Sequence, residues 1–86
     1  MPEAPPPTTT PARGGETWVS IVGDNVRRLR KTRGLTQAQV AEAAGLDLRY
    51  LGSIERGVGN PSVEMLGRLA SALTVHPADF FAGWDV

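Results

Sequence analysis

The side chains best equipped for directed chemistry gather between Gln37 and Asn60. Arg49, Ser53 and Arg56 recur at spacings that put a guanidinium, a hydroxyl and a second guanidinium on one face of a helix. Asp47, Tyr50 and the amides of Gln37 and Asn60 add further donors and acceptors around them. An arginine presents a planar fork of donors that grips two acceptors at once and keeps its proton, which is chemistry for binding. Bond-making chemistry lacks its parts. The chain has no cysteine, and its one histidine, His76, precedes Pro77 in what reads as a helix start. No glycine-rich phosphate loop follows a strand, there is no cluster of histidines, and Asp79 and Asp85 read as solvated acids. No catalytic residue, metal site or cofactor is expected.

Positioning these groups requires rigid elements, and the apolar spacing supplies them. Trp18, Val22, Val26 and Leu29 recur at helical intervals, and "RRLRKTRG" closes with cations and a glycine, predicting a first helix over about 20–33. Thr36-Gln37-Ala38-Gln39 is a capping-box pattern, and Val40, Ala41 and Ala44 line one face of the short helix that follows. Gly45 allows a sharp turn, and Asp47 is the next N-cap. Leu46, Leu51 and Ile54 point inward, leaving Leu48, Arg49, Gly52, Ser53 and Arg56 outward. Gly57, Gly59, Asn60 and Pro61 mark a loop. Ser62 caps a fourth helix whose buried stripe is Val63, Leu66, Leu69, Ala70 and Leu73. His76-Pro77 opens a last short helix that returns Phe80 and Phe81 to the core. The fold class is all-α, with five short helices. Two helices joined by a short glycine-containing turn form a helix-turn-helix unit, here 37–56, whose second helix enters a DNA major groove.

A chain of 86 residues is one small domain. Residues 1–17 form a Pro/Thr-rich tail expected to be disordered, because such a segment cannot bury enough surface to offset its ordering entropy; 18–86 form the domain. No apolar run approaches the roughly 20 residues of a membrane span, and the N-terminus lacks the pattern of a signal peptide, so a cytoplasmic protein is expected. The formal charge is zero, yet its distribution is uneven. Arg27, Arg28, Arg30, Lys31, Arg33, Arg49 and Arg56 outnumber Asp24, Glu42, Asp47 and Glu55, whereas Arg68 alone faces Glu64, Asp79 and Asp85. Binding to phosphates needs a local basic face rather than a basic total.

The segments "VRRLRKTRGLTQAQVAEAAGL", "YLGSIERG", "NPSVEMLGRLASAL" and "HPADFF" together resemble the Cro and lambda-repressor family, also called the XRE family, over about two-thirds of the chain. The resemblance implies a compact five-helix DNA-binding domain. It implies that Gln37 contacts a phosphate and buttresses the reading helix, and that Leu48 and Arg49 reach base edges. Arg49 can offer its fork to guanine O6 and N7, worth roughly 1–3 kcal/mol of discrimination. Leu48 departs from the polar reader of many relatives and is suited to a thymine methyl. Ser53 reaches a base or phosphate, Asp47 caps the helix or accepts from cytosine, and Tyr50 packs its ring while its hydroxyl bonds a phosphate. Arg56 lies at the groove edge, and Asn60 matches a phosphate-holding position. The family also implies a partly buried pair between Arg30 and Glu55. Arg27, Arg28, Lys31 and Arg33 read as a solvated basic face that adds non-specific attraction.

Two functions follow as expectations. The first is a small transcriptional regulator, of repressor or controller type, that binds a palindromic operator in double-stranded DNA as a homodimer. The dimer contact would involve the fourth and fifth helices and "FFAGWDV". The alternative is an antitoxin- or adaptor-like module on the same fold, whose main partner is a protein.

Overall fold

The structure, a computed structural model, describes residues 17–83. Four α-helices run in order: α1 (Trp18–Thr32), α2 (Gln37–Ala44), α3 (Leu48–Glu55) and α4 (Val63–Leu73). A 3-10 helix, Pro77–Phe81, stands where the fifth helix is expected. The all-α class holds, with no strand among the described residues. Most of the expected disordered tail, and Trp84, Asp85 and Val86, lie outside the described residues.

The first helix begins at Trp18, the first residue of its apolar spacing and ahead of the expected start near 20. Thr17 Oγ1 accepts from Ser20 N at 3.1 Å, and Ser20 Oγ accepts from Thr17 N at 2.9 Å. This is a reciprocal cap with serine in place of the usual Glu or Gln, so the pattern is easily overlooked. At the other end, Leu35 N reaches back to the Arg30 carbonyl across Gly34 and closes the helix. Arg28 is drawn to Asn25 Oδ1 and Arg33 to the Thr74 carbonyl.

The core joins Val22 and Val26 of α1, Val40, Ala41 and Ala44 of α2, Leu51 and Ile54 of α3, and Leu69, Ala70 and Leu73 of α4. Phe80 closes it from the 3-10 helix, fully buried. Burial of one such side chain contributes about 1.5–3 kcal/mol. α1 packs chiefly on α3 and on the 3-10 helix, and α2 on α4 and α3. Where α1 meets α3 there is no room for a side chain: a Cβ on Gly23 would strike the Ile54 carbonyl. Asn25 fastens the C-terminal turn, its buried amide donating to the carbonyls of Phe80 at 2.9 Å and Ala82 at 2.8 Å.

Two expected core positions are corrected. Val63 is 86% exposed, because it opens α4 beyond the reach of the neighbouring helices; Leu66 is partly buried, and the fully buried stripe starts at Leu69. Phe81 is 39% exposed; its ring meets Trp18 edge-on with centroids 6.1 Å apart, at the rim of the core.

Candidate nucleic-acid interface

Each element of the helix-turn-helix unit is fixed by a local rule. Thr36 and Gln39 form the expected capping box, with Gln39 N donating to Thr36 Oγ1 at 3.1 Å and Thr36 N to Gln39 Oε1 at 2.8 Å. Gly45 ends α2 at φ +69°, a conformation that strains any residue with a Cβ, and Arg68 lies where that Cβ would be. Leu46 N then bonds the Ala41 carbonyl at 2.8 Å, which folds the chain back towards α3. Asp47 caps α3, its Oδ1 accepting from Arg49 N at 2.7 Å.

Glu55, at the end of α3, ties the unit together. Its Oε2 accepts from Arg30 Nε at 2.7 Å, and its Oε1 accepts from Arg30 Nη2 at 3.0 Å and Gln37 Nε2 at 3.1 Å. Arg30 Nη1 also donates to the Leu35 carbonyl at 2.9 Å. The pair is deeply placed, with side-chain exposures of 12% for Arg30 and 3% for Glu55. Hydrogen bonding to Glu55 raises the Arg30 pKa above its ordinary value, against the opposing effect of burial. The ion pair expected between Arg30 and Glu55 is therefore present. Gln37 joins it, so one carboxylate of α3 holds groups from α1 and α2.

The outward face of α3 offers Leu48, 49% exposed, and Arg49, whose side chain has no partner among the described residues. Arg49 and Arg56 lie seven residues apart and share one helical stripe. Ser53, also on that stripe, is half-buried and turned back, its hydroxyl donating to the Tyr50 carbonyl at 2.7 Å. The Tyr50 ring packs against the core, and its hydroxyl donates to the Asn60 carbonyl at 3.2 Å. The expected outward position of Gly52 is corrected: it is buried, because Arg56 lies over it, with Nη1 3.3 Å from where a Cβ would stand. The structure thus brings Gln37 and Arg56 to one recess and joins Tyr50 to Asn60. Leu48 and Arg49 stand apart on the first turn of α3. Arg27 and Lys31 line the same recess as Gln37, which their place in a general basic run did not disclose.

This geometry coincides with a family pattern: the helix-turn-helix model HTH_3 matches residues 26–80. The chain belongs to the HTH_3 helix-turn-helix family. Within that family it is 49% identical over 65 residues to an uncharacterized HTH-type transcriptional regulator, y4dJ of Sinorhizobium fredii, spanning 76% of this chain and 84% of the relative. It is 46% identical over 54 residues to the immunity repressor of Bacillus phage phi105, covering 63% of this chain and 38% of that longer protein. Among solved structures, the restriction-modification controller protein C.AhdI from Aeromonas hydrophila superposes with a TM-score of 0.71 at 38% identity. That match covers 73% of this chain and 96% of the controller. No helix among the described residues of this HTH_3 protein is long and apolar enough to cross a membrane.

Proposed function

We propose that this protein is a small transcriptional regulator that binds double-stranded DNA sequence-specifically, with α3 in the major groove. The observation that carries the reading is Arg49: an exposed, unpartnered guanidinium on the first turn of the second motif helix, mounted on a frame fixed by the Glu55 network. Regulators and repressors among its relatives support it. Arg49 reads a base edge, Leu48 touches an apolar group beside it, and Ser53 and Arg56 follow along the groove. Asp47 holds the helix start through Arg49 N and accepts from a cytosine amine with its free oxygen. Gln37 and Asn60 contact phosphates from either side, and the Tyr50 hydroxyl, which donates to the Asn60 carbonyl in the free protein, turns its one proton to a phosphate when DNA is bound.

The domain is 18–86, preceded by the tail at 1–17, and it acts by binding rather than by catalysis, in the cytoplasm on nucleoid DNA. One such unit reaches few bases, so a homodimer on a palindromic operator supplies the specificity, its reading helices about 34 Å apart. The test is selection of bound DNA from a random duplex pool with purified protein. Enrichment of a palindrome with half-sites about one helical turn apart is expected. Weak, salt-sensitive binding without enrichment would overturn the proposal.

A further inference from the structure

The cations in and just after the second half of α1 are not equivalent. Arg28 and Arg33 are used inside the protein, by Asn25 and by the Thr74 carbonyl. Arg27 and Lys31, one helical turn apart, have side chains without a hydrogen bond or ion pair to any described residue. They line an open recess of about 350 Å³ between α1 and α3, with Arg56 of α3, likewise unpartnered, also on its wall. Gln37 and Gly52 line it as well.

The acid lining this recess, Glu55, does not neutralise these charges. Both of its oxygens accept from Arg30 or Gln37, and its side chain is 3% exposed. Three uncompensated cations therefore surround one concavity whose floor is a closed ion pair. A concave surface lined by one sign of charge focuses its field, and the ligand that relieves the repulsion is an anion. Position identifies its source. Gly52 and Arg56 follow Arg49 by three and seven residues, so the recess opens on the helical stripe that carries Arg49. We infer that Arg27 and Lys31, with Arg56, hold a backbone phosphate of the same duplex that α3 reads. α1 thus becomes a point of attachment additional to Gln37 and Asn60. This inference rests on the DNA-binding reading above.

The test compares the full chain with its Arg27→Gln/Lys31→Gln variant on the selected duplex and on an unrelated one, between 50 and 200 mM salt. Each phosphate contact contributes about 0.9 to the slope of log affinity on log salt. The variant is expected to flatten the slope by up to about 0.9 on both duplexes, the share of the one phosphate these side chains hold, with the ratio between them unchanged. A contact that acts only through counterion release, and vanishes at 1 M salt, is worth roughly eightfold in affinity at 0.1 M. Both substituted side chains are exposed and unpartnered, so the circular dichroism melt should match the parent. Arg28→Gln and Arg33→Gln are expected to keep the parental slope. An unchanged slope in the double variant overturns the inference, as does equal flattening by the Arg28 and Arg33 controls. Inorganic phosphate titrated without DNA separates the two sources of the anion. Chemical-shift changes at Arg27 and Lys31 alongside an unaltered duplex slope would make this a site for a free anion and overturn the inference. A parent that prefers no sequence would remove the DNA-reading function, while the slope comparison stays readable on the unrelated duplex.

Discussion

Glu55→Ala is predicted to be among the most damaging single changes in this chain. The substitution removes the acceptor for three donors and leaves the Arg30 guanidinium, at 12% side-chain exposure, without a counter-charge. Breaking a buried pair from one side costs about 3–5 kcal/mol. Arg30 keeps its bond to the Leu35 carbonyl and some access to water, and half-buried Gln37 can be hydrated, so the lower end applies, about 3 kcal/mol. At about 4–8 °C per kcal/mol for a domain of this size, the melting temperature falls by about 12–24 °C. Glu55→Gln should fall between parent and alanine, since it keeps the shape but turns an amide donor towards Arg30. Replacing both partners, Arg30→Met/Glu55→Met, removes the unpaired charge and should lose less than Glu55→Ala alone, because buried pairs exchange for apolar groups at little net cost. Thermal and urea unfolding followed by circular dichroism measures all three. A melting temperature for Glu55→Ala within 2–3 °C of the parent, roughly half a kcal/mol or less, would refute the reasoning.

Three further outcomes are expected. Arg49→Ala should reduce discrimination at one base pair of each half-site by about 1–3 kcal/mol while sparing non-specific affinity, as read by competition with single-substituted operators. Gly23→Ala drives a methyl into the Ile54 carbonyl and must separate α1 from α3, costing about 1–3 kcal/mol or more in urea unfolding. Gly67→Ala, at an exposed position inside α4 where a Cβ meets nothing within 4 Å, should stabilise by about 0.5–1 kcal/mol in the same assay.

What could be read from the sequence follows the range of the rule used. The Thr36 box, the Gly45 turn and the Asp47 cap are interactions over two to four residues, and each stands as the residue types dictate. The start of α1 is not legible because its cap uses Ser20, a residue with a weak helical signal of its own. Val63 lies on the correct face of α4, but periodicity does not say how far along a helix its neighbours extend. Phe80 and Phe81 cannot both face inward from a 3-10 helix, where consecutive residues point about 120° apart. At the candidate site, residue type and order indicate the helix-turn-helix unit, and the family resemblance implies the Arg30–Glu55 pair. They do not indicate that Gln37 joins that pair, that Tyr50 holds the Asn60 backbone, or that Arg27 and Lys31 differ from Arg28 and Arg33. Those distinctions arise from contacts between elements, in which the conformation of a long side chain decides the partner.

The Glu55 network also separates two requirements that the apolar core cannot meet alone. Val40, Leu51 and Ile54 set how closely α2 and α3 approach, but burial has little directional preference, and a small rotation of α3 would keep most of that area covered. A rotation of that kind would still swing the Arg49 fork away from two acceptors on a base edge. Directional bonds from one carboxylate to α1 and α2 oppose it, because turning α3 lengthens bonds to Arg30 and Gln37 together. Arg30→Met/Glu55→Met tests this point directly, since it restores much of the stability while removing every directional tie. If orientation depends on the carboxylate, that variant should hold unrelated DNA nearly as well as the parent yet discriminate poorly between operator and competitor. Parental discrimination in the double variant would mean that packing alone orients α3, leaving the network a role in stability only.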